Sequence, residues 1–186
     1  MDLLDKITTG YSTYFSKYQT SKNQLLSAIL YSINLLSNKD TTIILKHFDE
    51  FENFEKLINT NKEAFQLFMS FILNYIAINI IYNLPNMINK PNQNSCCSVH
   101  ILFGESIAQL VAFCLVTESS NILNNIMKNH KHLLNKMQIN VCENDEIILN
   151  STELKVSKQT IIKDYNKKIE LIINKYKEHY TILFKN

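Results

Sequence analysis

Apolar residues recur along this chain at spacings of three and four, the period that places side chains on one face of an α-helix. The first run predicts an N-terminal helix whose apolar face consists of Leu4, Ile7, Tyr11, Tyr14, Phe15 and Tyr18. A second run extends from Leu25 to Leu36 and follows a capping-box pattern, Ser21–Gln24. A third run extends from Ile44 to Leu57. The beginning of the chain therefore predicts three amphipathic helices.

A fourth, more apolar helix is predicted after residue 60. Thr60 and Glu63 form a second capping-box pattern, and apolar positions then continue as far as Ile80. Pro85 should end this helix, because proline lacks the amide hydrogen and disfavours helical geometry in the residue before it. Residues 84–98 combine both prolines of the chain with clustered Asn and Ser, and they predict a loop.

Three further helices are predicted in the second half of the chain. The fifth extends roughly from Val99 to Glu118, and the sixth, capped by Ser120, carries apolar residues as far as Met137. A long last helix extends from about Ser157 to Phe184, and its predicted inward side consists of Ile161, Ile162, Tyr165, Ile169, Ile172, Tyr176 and Tyr180. The segment 138–157 fits either an irregular excursion or a short hairpin.

The fifth predicted helix is apolar on both sides, which indicates that other helices surround it. Glu105, Gln109 and Glu118 leave its apolar run shorter than the roughly 20 residues that a membrane span needs. Its main apolar face consists of Ile107, Leu110, Val111, Cys114 and Leu115, and the other side of Ala108, Ala112, Phe113 and Val116. We expect a buried helix and no membrane span.

Two glycines and two prolines are too few for the frequent turns of an all-β fold. A length of 186 residues suffices for one domain with a sizeable core. The sequence therefore predicts a single all-α domain over residues 1–186, a bundle of about seven helices around a central apolar helix.

Charge and cysteine content exclude several classes of function. All 19 basic residues are lysines and the net charge is +2 with no block of like charge, so we expect no nucleic-acid partner. The beginning of the chain lacks the pattern of a secretory signal, which predicts a cytoplasmic protein. The four cysteines do not suggest a disulfide framework in that compartment and have no zinc-like spacing. No metal and no cofactor are expected.

No constellation of polar residues indicates catalysis. His130 and His132 are two residues apart and so do not share a helix face. His47 is the one histidine close to the acidic residues between Asp49 and Glu55, which we interpret as a solvated face. Gly10 and Gly104 cannot form a glycine-rich phosphate loop. We therefore expect a protein-interaction function and not an enzyme.

One short segment resembles a known family. The run Gly104-Glu105-Ser106-Ile107-Ala108-Gln109-Leu110-Val111-Ala112-Phe113 is similar to the first homology region of the B-cell-lymphoma (Bcl) family of apoptosis regulators, especially its divergent poxvirus members. Gly104, Ala108 and Leu110–Phe113 fit the family pattern. Ser106, Ile107 and Gln109 replace its Asn, Trp and Arg, so the cation that pairs with the aspartate of a bound death motif is missing.

The resemblance implies a host-interaction protein that binds an amphipathic death-motif helix of a host protein in a hydrophobic groove. The candidate groove residues are Phe65, Phe68, Met69, Ile72, Gly104, Ile107 and Val111. Without the arginine, a lysine would pair with the partner's aspartate, or apolar contacts alone would carry the affinity. Two alternatives stay open: a closed-groove Bcl-like inhibitor of innate immune signalling, and a structural or assembly subunit without a groove, whose helices pack against copies of itself in a homo-oligomer or against a larger complex.

Overall fold

The computed structural model describes residues 3–16, 23–49, 51, 53–130 and 157–184. Their elements are, in chain order, α1 (Leu3–Phe15), α2 (Gln24–Asn34), α3 (Asn38–Lys46), α4 (Phe54–Thr60), α5 (Lys62–Asn83), β1 (Asn92–Gln93), β2 (Cys96–Cys97), α6 (Val99–Phe103), α7 (Glu105–Asn129) and α8 (Lys158–Phe184). The predicted all-α class is confirmed. The predicted segment 138–157 lies outside the described residues, apart from its last residue, as do Tyr18, Ser21 and the predicted sixth-helix residues beyond His130.

Asparagine caps two helices at which the sequence pattern had indicated Ser21 and Thr60. Asn23 accepts a hydrogen bond from the amide of Leu25 at the start of α2. Asn61 accepts from the amides of Glu63 and Ala64 at the start of α5. Asparagine has an acceptor as suitable as serine or threonine, and in both cases it is the residue with extended backbone geometry.

The third predicted helix is wrong in its extent, because the chain breaks it into α3 and α4. A capping box of Ser37 and Asp40 starts α3. Turns then lead to Asn53, which has a left-handed backbone (φ 59°) directly before α4. Phe48, Phe51 and Phe54 keep the three-residue spacing across this break, and all of them are buried.

The central helix is α5, and the prediction that the fifth sequence helix is enclosed is wrong. Fifteen of the 22 residues of α5 are buried, on all sides of the helix. It packs along both α7 and α8 and also contacts α4 and α6. In α7, by contrast, Leu110 is 50% exposed and Phe113 is 48% exposed. One side of α7 is therefore in contact with water, although its apolar residues on both sides predicted that other helices would enclose it.

The predicted fifth and sixth helices divide at a different residue from the one expected. Gly104, with φ +87°, separates the short α6 from α7. The helix then continues without interruption through Ser120 to Asn129, so Ser120 is not a cap. Pro85 follows the end of α5 as predicted. The loop of residues 84–98 contains a small hairpin in which Asn92 pairs with Cys97 and Gln93 with Cys96.

Tyrosine hydroxyls join α8 to α5 along its length. The hydroxyl of Tyr165 donates to Oδ1 of Asn79 at 2.9 Å, and that of Tyr180 donates to the carbonyl of Ala64 at 2.7 Å. Nearer the start of α8, the Tyr82 hydroxyl donates to a carboxylate oxygen of Asp164. Burial of so many hydroxyls is favourable because each finds an acceptor.

Candidate binding groove

Most of the residues predicted to line a groove lie in the interior. Phe68, Ile72 and Val111 have no exposed surface, and Met69 is 6% exposed. Because α5 and α7 pack directly along each other, these side chains contribute to the core between the helices. They form no opening into which a partner helix could insert.

The other three predicted residues lie at the edges of that contact. Phe65 and Ile107 are half-buried against the core. The ammonium group of Lys6 lies 4.5 Å from the centroid of the Phe65 ring, a cation–π contact from α1. Gly104 is exposed between α6 and α7, with no other atom within 4 Å of the position of an added Cβ. The structure therefore does not bring the seven residues together as one surface.

A groove lies instead between α3, α5 and α8, and we call it the α3–α8 groove. It encloses about 520 Å³. Its apolar lining consists of Ile43, Ile44, Phe71, Tyr75, Tyr165, Ile169 and Ile173, and its polar lining of His47, Asn166, Glu170, Asn174 and Lys177. Within α8 the apolar residues follow a spacing of four, which aligns them along one side of the helix.

The tyrosines of the groove are neutral hydroxyls at physiological pH. Burial raises the pKa of Tyr75, and the nearby charge of Asp40 raises it further. Burial likewise raises the pKa of Tyr165, followed by its proximity to Tyr75. Tyr165 donates its hydroxyl hydrogen to Asn79 and so has a partner outside the cavity. The floor of the groove can therefore contact apolar groups without exposing a charge to them.

Opposite charges lie on the polar side of the groove. Glu170 is exposed and Lys177 is half-buried, and seven residues, about two helical turns, separate them on α8. His47, at the C-terminal end of α3, belongs to the opposite wall. The groove thus has an uncharged floor and a rim that carries both signs of charge.

The residues considered for chemistry are dispersed. His130 lies at the end of α7, with its Nε2 2.8 Å from a carboxylate oxygen of Glu63, and His132 lies outside the described residues. Cys96 and Cys97 are exposed on β2, and Cys114 is half-buried in α7. Within the described part of the chain, no three His, Cys, Asp or Glu residues are placed to hold a metal ion.

Two of the described helices, α5 and α7, are long and apolar enough to cross a membrane by length and composition alone. In the most apolar 18-residue window of α5, 72% of the residues are buried inside the protein. The core helix of a soluble protein has the same properties, so this finding is weak evidence for a membrane span.

The groove was not predicted from the sequence. Tyr165 and Ile169 line it, although the apolar stripe of the last helix predicts both of them on its inward side. With Ile173, that stripe has the ordinary width of an amphipathic helix, roughly 100° or more, so it does not indicate which part stays uncovered. Ile162 was also predicted to face inward, and this is wrong, because it is 45% exposed.

Comparison with known proteins identifies a similar fold but no family. No family model matches the sequence, and a search of curated proteins found no match. A crystal structure of an isoprenoid synthase family member from Thermotoga neapolitana is similar, with a TM-score of 0.62 and 14% sequence identity. The match covers 98% of this chain and 70% of that one. At this identity the likeness concerns the helical fold alone.

Proposed function

We propose that this protein is a non-catalytic, cytoplasmic binding protein that takes up an amphipathic helix of another protein in the α3–α8 groove. The observation that carries the proposal is the lining of this groove, which has an uncharged apolar floor and a charged rim. An amphipathic helix binds such a surface with its apolar face on the floor and its polar face toward solvent. The Bcl-like arrangement inferred from the sequence stays a prediction beside this one.

The dimensions of the groove suit a helix of about three turns. From Tyr165 to Lys177 the α8 wall extends about 18 Å, at 1.5 Å per residue. The volume of about 520 Å³ lies in the range of small-molecule sites, about 300–1,000 Å³, so the groove has room for the apolar side chains of one helix face and not for a whole helix. Ile43 is 41% exposed on the opposite wall and gives a bound helix an apolar contact there.

The likeness of Gly104–Phe113 to the Bcl family makes a death-motif helix of a host protein the first partner to test. Lys177 and Glu170 carry opposite charges along the same wall, and the chain contains no arginine. We therefore expect the aspartate of the peptide to contribute little. Its replacement by Ala should cost much less than the roughly 2–5 kcal/mol of a broken buried charge pair.

Calorimetric titration of a panel of death-motif peptides against three proteins tests the proposal. These are the wild type, Ile43→Asp and Ile162→Asp. Ile43 lines the groove at 41% exposure, whereas Ile162 lies on α8 outside it at 45% exposure. Because both side chains are on the surface, both variants should fold. Binding should be lost in Ile43→Asp, where a charge enters the apolar lining of the wall opposite α8, and kept in Ile162→Asp.

Several outcomes would decide against the proposal. Absence of binding by every peptide at micromolar concentration would favour the closed-groove inhibitor of innate signalling or the assembly subunit. Equal loss of binding in both variants would place the partner elsewhere. A Val111→Asp variant cannot test a groove, because Val111 is fully buried and the variant would lose stability first.

The aromatic and aliphatic lining of the groove, together with the fold likeness to an isoprenoid synthase family member, favours one second candidate. In this case the groove would hold an isoprenoid chain in place of a helix. A short-chain isoprenoid alcohol, titrated against the same three proteins, tests this candidate. Binding of the alcohol that Ile43→Asp abolishes, without binding of any peptide, would replace the first proposal by the second.

A further inference from the structure

Two adjacent cysteines form the second strand of the small hairpin, and both are accessible. Cys96 and Cys97 are exposed on β2, and neither takes part in a disulfide bond. Cys96 pairs with Gln93 of β1, and Cys97 pairs with Asn92. Because adjacent side chains of a strand point to opposite faces, the two sulfur atoms cannot bond to each other while β2 keeps this geometry. The reduced hairpin therefore holds the two thiols apart.

The turn of the hairpin has a backbone conformation that depends on the strand pairing. Asn94 and Ser95 connect the strands, with φ of 49° and 66°. Left-handed geometry at two consecutive residues is typical of a two-residue hairpin turn, but it is unfavourable for serine. The pair of Gln93 and Cys96 closes this turn. If Cys96 leaves its extended geometry, the turn loses the pairing that holds it.

The turn is bonded to the start of α3, a helix that lines the α3–α8 groove. The side-chain amide of Asn94 donates to the carbonyl of Leu35 at 2.6 Å and to a carboxylate oxygen of Asp40 at 2.7 Å. The same carboxylate accepts hydrogen bonds from Ser37 in the capping box of α3. Among the described residues, the bond between Asn94 and Asp40 is the only side-chain hydrogen bond that joins α3 to a distant part of the chain. The hairpin thus helps to hold the N-terminal end of α3.

We propose that Cys96 and Cys97 are a redox switch, in which their oxidation to a vicinal disulfide opens the hairpin and releases the N-terminal end of α3. The oxidant is a small-molecule disulfide such as glutathione disulfide. The thiolate of one cysteine attacks it, forms a mixed disulfide and releases one glutathione. The thiolate of the other cysteine then attacks the sulfur of its neighbour, closes the ring and releases the second glutathione. Two protein thiols are oxidised, one glutathione disulfide is reduced, and the two thiol protons pass to the released glutathione thiolates.

Ring closure changes the backbone because the two cysteines are adjacent. Their Cα atoms lie about 3.8 Å apart, closer than in an ordinary disulfide, so β2 must leave its extended geometry before the bond can form. The pairing with β1 is then lost, and Asn94 is no longer held against α3. A bridge that is strained in this way is easily reduced, which makes the switch reversible. Its effect on partner binding rests on the proposed function, because α3 supplies the groove wall opposite α8.

The test uses the full chain with Cys114 and Cys142 replaced by serine, the parent protein, in which only the two hairpin thiols remain. After treatment with glutathione disulfide, mass spectrometry should show the loss of two hydrogen atoms per chain and no bound glutathione. The amides of residues 41–46 in α3 should exchange about threefold to tenfold faster, the range that corresponds to one lost hydrogen bond. Dithiothreitol should reverse both changes. If the parent protein has less helix than the wild type by circular dichroism, peptide mapping of the oxidised wild type locates the same bridge.

Two variants of the parent protein serve as controls. Cys97→Ser cannot close the ring, so it should keep a bound glutathione and show unchanged exchange in α3. Asn94→Gly should show the faster exchange while its thiols are reduced, because glycine permits the turn and lacks the amide. The inference is overturned by a mixed disulfide that persists in the parent protein, by equal α3 exchange in its reduced and oxidised forms, or by faster exchange in oxidised Cys97→Ser. Unchanged exchange in Asn94→Gly overturns the role of Asn94.

These measurements contain no peptide, so their outcome is separate from that of the proposed function. A death-motif peptide that binds the reduced parent protein should bind the oxidised form about threefold to tenfold more weakly, because binding must then order α3 again. Equal affinity for the two forms, with faster α3 exchange in the oxidised one, overturns the regulation of the groove and leaves the switch. Absence of peptide binding by the reduced form counts against the proposed function alone.

Discussion

The hydroxyl groups of Ser70 and Tyr176 lie 2.6 Å apart in the interior, although 106 positions separate the two residues in the chain. Oγ of Ser119 lies 2.7 Å from that of Ser70 and 3.0 Å from the Tyr176 hydroxyl. Asn74 donates to the same phenol oxygen at 3.0 Å. One tyrosine thus connects α5, α7 and α8 through polar groups that are surrounded by apolar side chains, and it specifies how the three helices fit together.

Replacing Tyr176 by Phe should lower the free energy of unfolding by about 1–3 kcal/mol. The ring keeps its shape, but Ser70, Ser119 and Asn74 each lose a buried hydrogen-bond partner. Urea denaturation measures the change. Tyr31→Phe is the matched control, because the Tyr31 hydroxyl donates to the carbonyl of Cys97 at the surface and water can replace it. Equal losses in the two variants would contradict the structural role of the buried network.

Acid should destabilise the protein through His179. This side chain is fully buried on α8, and neither ring nitrogen has a hydrogen-bond partner among the described residues. Burial lowers its pKa from 6.5 to about 4, and the nearby charge of Lys175 lowers it as well. As the pH falls, His179 is therefore protonated near pH 6.5 in the unfolded chain and only near pH 4 in the folded chain. Stability is complete above pH 6.5 and decreases as the pH falls through this window.

His179→Phe should remove this acid dependence, which is on the order of 3 kcal/mol when complete. At pH 7.5 the variant loses no hydrogen bond, so its stability should differ from that of the wild type only by the cost of packing the larger phenylalanine ring into a closed site. Urea denaturation at several pH values between 4 and 7.5 checks both statements. A variant with the wild-type slope of stability against pH would show that His179 is not the responsible group.

Glu63 should give a second, smaller acid dependence at lower pH. Its carboxylate, at the start of α5, accepts a hydrogen bond from Asn129 at 2.8 Å and lies 2.8 Å from Nε2 of His130. The hydrogen bonds from His130 and Asn129 lower the pKa of Glu63 below its usual 4.5. A lowered pKa in the folded state means that this stabilisation is present above pH 4.5 and is lost as the pH falls through the folded pKa.

The side chains of Glu63 and His130 are each about a quarter exposed. We therefore expect this ion pair to contribute less than about 1 kcal/mol to the free energy of unfolding. The measurement is best made in the His179→Phe background, which is free of the larger effect. There, Glu63→Gln should flatten the stability below pH 4.5, whereas Glu55→Gln, at an exposed position of α4, should not. The same flattening in both variants would assign the effect to overall charge.

The two glycines of the chain should respond in opposite ways to alanine. At Gly104 a Cβ has free space, but a φ of +87° is strained for alanine, which should cost about 1–2 kcal/mol. At Gly10, within α1, the Cβ would meet Met69 at 3.4 Å and Phe65 at 3.5 Å, ordinary contact distances. Helix propensity favours alanine there by about 1 kcal/mol. Thermal unfolding should show a lower Tm for Gly104→Ala and an equal or higher one for Gly10→Ala.

Helix positions were predictable from apolar spacing. Of the breaks between helices, the one at Pro85 was predicted, whereas the break between α3 and α4 and the one at Gly104 were not. The helical spacing continues through turns at Phe48, Phe51 and Phe54. Aromatic residues of the loop between α3 and α4 are buried in the core in the same way as residues of the helices. The rings of Phe48 and Phe54 stack with centroids 4.7 Å apart. Spacing reports which residues are buried and does not report whether the backbone between them is helical.

The groove depended on information that one sequence does not contain. Phe68 and Phe71 lie on the same helix and are equally apolar, yet only Phe71 lines the α3–α8 groove. Which side of α5 stays uncovered is decided by the placement of α3 and α8, and that placement rests on contacts across long separations in the chain. The short motif around Gly104 predicted a groove between α5 and α7, but these two helices pack directly against each other.

The tyrosine contacts of α8 also mean that the packing around α5 cannot be completed during translation until α8 has been synthesised. Tyr165, Tyr176 and Tyr180 bond to residues of α5 that lie 86 to 116 positions earlier. At about 5–20 residues per second, α5 waits on the order of ten seconds for α8 to leave the ribosome. During that time one side of α5, which is buried on all sides in the folded protein, is uncovered. The nascent polypeptide is therefore most exposed to aggregation before α8 emerges, and chaperone capture of ribosome-bound chains should be strongest in this interval.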